Sequence, residues 1–226
     1  MSNTTLKGAQ APILEAFHFR HAAKSFDPTR KISDDDFGTI VEAARLSPTS
    51  FGLEAWRMVV VQNPALRNEL LPIVWGGQGQ IPTASHLVVL TVLRGDRLNP
   101  QGEHLPAFFR DIRKMPEDRV SWMLSKLQGF FDREFHLETD AKRTEWAARQ
   151  SYIVLGNMMT TAASLGIDSC AMEGFDRDVL EAKLSGHGGY DQATHGIACL
   201  VAFGYRAKDQ SPRTRRPLGD QVIGWA

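Results

Sequence analysis

The sequence predicts helices interleaved with buried strands, an α/β or α+β sandwich. Three observations carry that expectation. His86–Leu93 reads HLVVLTVL, and Ile197–Phe203 reads IACLVAF. Both are apolar runs of strand length without polar alternation, as in strands covered on both faces. Lys142–Leu165 has the pattern of a long helix, apolar nearly all round from Tyr152 onward, which marks a core or interface helix. The 226 residues show no linker, repeat or low-complexity tract, so a single domain over 1–226 is expected.

The remaining elements follow in order. Ser33 with Asp34, Asp35 and Asp36 forms a helix-start signature, the acids lying where the helix dipole favours them. A helical pattern runs on through Ile40, Val41, Ala44 and Leu46 until Pro48 stops it. Trp56–Val61 is strand-like and closes at Asn63-Pro64, and a short helix is expected over Leu66–Val74. Gly76, Gly77 and Gly79 then break the chain. The segment from Gln101 to Thr139 is irregular, with aromatics set among charges. Gly166 is placed to end the long helix, and Asp178–Leu184 reads as a short helix. From Lys208 the chain is polar and extended.

Lysine plus arginine number 26 and aspartate plus glutamate 26, with 42% hydrophobic and 23% charged residues. This balance excludes the long-range positive field that a general nucleic-acid or anionic-membrane binder needs. Cys170 and Cys199 lie in apolar surroundings and read as buried thiols of a reducing, cytoplasmic setting. The polar start, with its Asn3-Thr4-Thr5 sequon, has no apolar core of a signal peptide. No run of about 18 apolar residues reads as a membrane span.

Most catalytic motifs fail. In Trp75–Gln80 (WGGQGQ), Pro82 stands where a dinucleotide fingerprint needs its third glycine. Hydrolase triads and metal-ligand spacings find no support. What remains is cationic. Arg20, His21 and Lys24 cluster near one end of the chain, with Arg20 and Lys24 on one face if helical. Arg213, Arg215 and Arg216 cluster near the other end, between Pro212 and Pro217. Brought together, they would bind a phosphate-bearing cofactor, arginine by its fork and lysine as a point charge. A solvated basic turn and a flexible basic tail are the competing readings, the second weakened by Leu218 and Trp225 nearby. Ser47–Gly52 and Met172–Phe175 are small-residue turns that would let backbone approach a ligand.

These pieces resemble the FMN-dependent nitroreductase family, in its oxygen-insensitive NAD(P)H nitroreductase and dihydropteridine reductase branch. The matching stretches are RHAAKSFD, LSPTSFGLEAWRMVVV, TASHLVVL, EWAARQSYIVLGNMM, AASLGIDSCAMEGFD and RTRRPLGD, in family order from about Phe17 to Asp220. The resemblance implies an α+β sandwich, with a mainly antiparallel central sheet flanked by helices and the long helix at the interface of a homodimer. By resemblance, Arg20, His21, Arg213 and Arg215 hold the FMN phosphate, and Lys24 reaches the flavin N1/O2 edge. Backbone amides at Glu173 and Gly174 face N5 and O4. Pro48, Thr49, Ser50 and Gly52 come from the other subunit. Gln150 contacts the cofactor from the long helix, and Phe130 or Phe131 covers the substrate face. Three points depart from the family: its serine is Ala22 here, its asparagine at the pyrimidine edge aligns with Gly77, with Gln78 or Gln80 as substitutes, and its lysine or arginine pair before the C-terminal proline is two arginines, a conservative change for phosphate.

The implied activity is two-electron transfer from NADH or NADPH to nitroaromatic, quinone or related planar acceptors, in ping-pong order. Flavin N5 carries the hydride, Lys24 acts electrostatically, and no side chain is a catalytic nucleophile. A flavin-binding protein without nicotinamide turnover, a flavoenzyme of the same fold with another reaction, and a structural dimerisation module are the alternatives.

Overall fold

A computed structural model describes residues 10–221 and 224. The Asn3–Thr5 sequon and Trp225 lie outside them. The centre is an antiparallel sheet of β1 (Trp56–Val60), β2 (His86–Leu93), β3 (Asp168–Met172) and β4 (His195–Gly204), in the order β1-β2-β4-β3. β2 and β4 pair from His86↔Phe203 to Leu93↔His195, with a bulge between Leu90 and Thr91. Both central strands are buried almost throughout, as their unbroken apolar runs require.

Helices cover both faces. They are α1 (Gln10–Phe19), α2 (Asp34–Arg45), α3 (Pro64–Leu70), α4 (Gln80–Thr83), α5 (His104–Ala107), α6 (Glu117–Gly129), α7 (Asp140–Ser164), α8 (Arg177–Leu184) and α9 (Leu218–Gln221). On one face Ile40 of α2 and Val154 and Met158 of α7 pack against Val88, Leu90 and Phe203. On the other, Leu70 of α3 and Leu180 and Leu184 of α8 meet Leu87, Val89 and Leu200. Each such side chain contributes about 1.5–3 kcal/mol of burial. A third cluster, with Phe109, Leu127, Phe131 and Trp146, lies under the excursion from α5 to α6, whose two helices each end in a π-type turn.

Local signals explain most boundaries. Ser33 Oγ accepts the Asp36 N–H at 3.1 Å and starts α2. Thr139 Oγ1 accepts the Lys142 N–H at 3.3 Å and starts α7, and Gly166 follows that helix at φ +71°. α3 begins earlier and ends sooner than Leu66–Val74. Asn63 Oδ1 accepts the N–H of Ala65 at 2.8 Å, so Asn63-Pro64 opens the helix as well as closing β1.

Several features differ from the sequence reading. α1, α4, β3 and α9 were not expected, and α9 interrupts the segment that reads as extended from Lys208. β3 is only five residues long and opens with an aspartate, so its apolar signal is weak. Arg20 to Lys24 is not helical. The segment is extended, bridging Ala22 to Ser169, with the Ala23 N–H donating to the Ser169 carbonyl at 3.2 Å. The C-terminal tail is anchored by Arg213, which donates to the His18 carbonyl at 2.6 Å, and not by Leu218, which is 77% exposed. Both cysteines are buried and unpaired.

Glu181 ties α8 to the sheet. It is buried, accepts the Ile197 N–H at 2.9 Å and pairs with Arg94. Glu181→Ala is expected to cost about 3 kcal/mol in a urea melt, because it strands that N–H and leaves Arg94 without its partner. A loss within about 0.5 kcal/mol would show the pair to be dispensable.

Candidate functional site

Two groups of predicted residues emerge, each assembled by a different part of the fold. The first gathers at one end of the sheet. Arg20 and His21 follow α1, and Arg213 and Arg215 come in on the tail. With His18 and Gln210 they line a cleft of about 720 Å³. Among the described residues, none of these three arginines has a carboxylate within ion-pair distance. Burial first, then repulsion from Arg213 and Arg215, pulls the Arg20 guanidinium below the usual arginine range. The imidazole of His21 is fixed by a 2.8 Å contact from Nδ1 to the Phe19 carbonyl.

The glycine turn after α3 joins this group by close backbone approach. Gly76 N–H donates to the Gly174 carbonyl at 2.8 Å. A Cβ on Gly79 would lie 2.3 Å from the Lys24 carbonyl oxygen. A Cβ on Gly174 would lie 2.8 Å from the Trp75 indole and 2.9 Å from Gly76 Cα. Lys24, the glycine turn and the Glu173-Gly174 turn therefore form one continuous rim, on which Trp75 is 73% exposed. Lys24 itself is exposed.

A Cβ at Gly77 would fall 2.9 Å from Ile81 Cδ1 and 3.0 Å from Met172 Sδ, the ends of two flexible side chains that would have to shift to admit it. Gln78 turns its Nε2 back to the carbonyls of Leu71 and Val74, at 2.6 and 2.9 Å. Gln80 is buried, with its Nε2 3.4 Å from Cys170 Sγ. Ala22 sits on the exposed side of the bridge to Ser169.

The second group lies where α2 runs into β1. Ser50 N–H donates to Gln150 Oε1 of α7 at 2.9 Å, and Thr49 Oγ1 accepts the Glu54 N–H at 3.1 Å. Phe51 holds φ +56° and Gly52 φ +60°. For a bulky residue such as Phe51 the left-handed region costs about 1–2 kcal/mol, strain of the kind that collects at ligand-binding turns. Arg113 donates to the Gly52 carbonyl at 2.9 Å. Phe130 meets Phe51 edge to face, at 4.9 Å between centroids, and stays half-buried. Phe131 is fully buried against Trp146 at 5.4 Å. Pro48 is exposed at the start of the turn.

Among the described residues no hydrogen bond or ion pair joins the two groups directly. α7 runs between them: Gln150 serves the second group, and Tyr152 donates its hydroxyl to Glu173 of the first. Burial, then the Glu173 carboxylate, raises the Tyr152 phenol above its ordinary range. Tyr152, Trp75, Arg113 and Arg206, whose Nη2 donates to the Phe19 carbonyl at 2.9 Å behind Arg20 and His21, escaped the sequence reading. Only Trp75, a large aromatic in a glycine turn, carried a local signal.

A family model described as "Nitroreductase family" matches residues 18–205. YfkO of Bacillus subtilis, provisionally named an NAD(P)H nitroreductase, is 44% identical over 214 residues, covering 94% of this chain and 96% of that protein. SERP2086 of Staphylococcus epidermidis, named in the same way, is 45% identical over 215 residues, with 94% and 96% covered. Among solved structures, a nitroreductase from Exiguobacterium sibiricum in complex with FMN superposes with a TM-score of 0.74 at 19% identity, covering 100% of both chains. A Staphylococcus epidermidis protein described as an NAD(P)H:FMN oxidoreductase gives 0.76 at 20% identity, also with 100% of both chains covered. The fold and the site define a class of α+β proteins with an antiparallel sheet and a cationic cleft at its end. The chain belongs to the nitroreductase family.

The contact of Gly174 with Trp75 and Gly76 makes one outcome specific. Gly174→Ala is expected to displace the glycine turn at a cost of about 1–3 kcal/mol and to shift the tryptophan emission as Trp75 moves. Unchanged stability and emission would show that the rim is not close-packed.

Proposed function

We propose that the protein is an FMN-dependent NAD(P)H oxidoreductase of the nitroreductase type, acting in the cytoplasm on nitroaromatic, quinone or related planar acceptors. The observation that carries this reading is the convergence of Arg20, Arg213 and Arg215 with His21 on one cleft that has no carboxylate among the described residues lining it. Like charges held together call for an anion, and the fork of arginine matches phosphate. This donor set fits the FMN phosphate.

Bound FMN would supply two-electron redox chemistry, taking hydride from NADH or NADPH and handing it to the acceptor. The chain's own part is to bind, orient and exclude water. Arg20, His21, Arg213 and Arg215 hold the phosphate. Lys24 places positive charge at the N1/O2 edge, where reduction adds negative charge. Backbone amides at Glu173 and Gly174 answer N5 and O4. Pro48, Thr49, Ser50 and Gly52 reach the cofactor of the partner subunit, and Gln150 contacts the cofactor from α7. Phe130, at the surface beside Phe51, covers the acceptor face. Since Gln78 and Gln80 spend their amides elsewhere, the pyrimidine edge falls to Lys24 and the glycine-turn backbone. One open face serves donor and acceptor in turn, which is ping-pong order.

A homodimer completes this site. Support comes from the two residue groups standing apart within one chain. It also comes from the apolar stripe of α7, where Tyr152 and Ile153 are 39% and 42% exposed and Gly156 faces open space.

The purified protein is expected to be yellow and to bleach on anaerobic titration with NADH or NADPH. A colourless protein that takes up no FMN would overturn the reading, and a yellow one that does not bleach would favour flavin binding without turnover. Lys24→Ala should lower the flavin potential and slow anaerobic bleaching about tenfold, a loss of about 1.4 kcal/mol. An unchanged potential would remove Lys24 from this role.

A further inference from the structure

Beside the aromatic cover lies a cavity to which the cofactor reading gives no task. It spans about 530 Å³ between the turn after α6 and the first half of α7. Phe135, Leu137 and Ala141 form an apolar wall, and Lys142, Glu145 and Arg149 a charged rim. Phe135 stacks on Phe130 at 4.4 Å between centroids and is still 50% exposed. Its backbone N–H donates to the Phe130 carbonyl at 2.9 Å. His136, next in the chain, holds φ +54°, a turn that a non-glycine residue makes only at a cost in strain. Two of the rim charges are answered. Lys142 Nζ stands 2.6 Å from Glu138 Oε2, and Glu145 Oε1 stands 3.1 Å from Arg177 Nη1. Arg149 is exposed, and among the described residues its guanidinium has neither an ion pair nor a hydrogen bond.

We propose that this cavity receives the adenosine 2′-phosphate end of the electron donor, so that Arg149 selects NADPH over NADH. The inference rests on the FMN oxidoreductase reading and deepens it. An exposed aromatic face offers a stacking surface to a purine base, and an unpaired guanidinium offers its fork to a phosphate. Adenosine 2′-phosphate carries both groups on one ribose, and a cavity of this size admits it. Position along α7 favours the donor over the acceptor. Arg149 adjoins Gln150, which contacts the cofactor on the same reading. Glu145 and Ala141 stand about 8 and 14 Å before Gln150 along the helix axis, at a rise of 1.5 Å per residue. A small planar acceptor stacked on the flavin does not span that length, whereas an extended dinucleotide does. Glu145, the carboxylate on the rim, is held by Arg177, which screens it from the phosphate. NADH has a hydroxyl where NADPH has the 2′-phosphate and leaves Arg149 unanswered.

Calorimetry with adenosine 2′,5′-bisphosphate and with adenosine 5′-monophosphate tests this on the FMN-loaded protein, in which the cationic cleft is filled. Wild type should bind the bisphosphate about tenfold more tightly than the monophosphate. Arg149→Ala should remove that difference, and Phe135→Ala should weaken both ligands. Arg119→Ala, at an exposed arginine that lies over Trp122 outside the cavity, should change neither. In steady state Arg149→Ala should raise KM for NADPH about tenfold and bring it to that of NADH. Equal binding of the two adenosine ligands by wild type, a preference for the bisphosphate that survives in Arg149→Ala, or equal KM values for NADH and NADPH in wild type would overturn the proposal. If the protein takes up no FMN, the oxidoreductase reading falls, and the flavin-free protein still judges the cavity. Bisphosphate binding lost in Arg149→Ala but kept in Arg213→Ala would support the site, and the reverse would overturn it.

Discussion

β2 and β4 are buried on both faces, so each backbone N–H and C=O in them must be answered by a neighbouring strand. That requirement fixes the antiparallel register from His86↔Phe203 to Leu93↔His195, and with it the place of everything attached to the strand ends. β3 pairs with β4 from Asp168↔Gly204, which brings Asp168 beside Arg206. The extended segment after α1 adds to β3 through Ala22 and Ser169. The cationic cleft is thus built at one end of the sheet, from residues nearly two hundred positions apart in the chain.

The cleft concentrates positive charge that no carboxylate among the described residues neutralises. Arg20, Arg213 and Arg215 repel one another, and burial of Arg20 adds to the cost. Elsewhere the protein pairs its cations readily: Arg94 with Glu181, Arg143 with Asp140, Arg206 with Asp168. On the proposed reading, an uncompensated group amid such pairing is strain retained for a ligand, as is the left-handed Phe51 at the second group. The two sets of strained features lie apart in one chain, which is what a site shared between two subunits requires.

Much of the fold was legible in the sequence because its signals were local. The apolar runs of β2 and β4, the Ser33 cap and the length of α7 each rest on one stretch of chain. β3 was not legible: five residues opening with Asp168 look like a strand only once β4 is beside them. For the site, the arginines at the two ends could be read from charge clustering, but Arg206 could not. A single arginine after a strand has no local mark, and its bond to the Phe19 carbonyl spans 187 positions. Gly77 shows the same limit. Its departure from the family pattern was visible, whereas the close approach of Ile81 and Met172 belongs to the packing.

The central claim is that the cationic cleft exists to hold a phosphate. Dissociation constants for FMN and riboflavin, measured side by side at low and high salt, test it most directly. The account predicts that FMN binds far more tightly than riboflavin, and that added salt narrows the gap by weakening FMN alone, since screening acts on the phosphate contacts. Equal affinities for the two flavins, or a gap insensitive to salt, would contradict it.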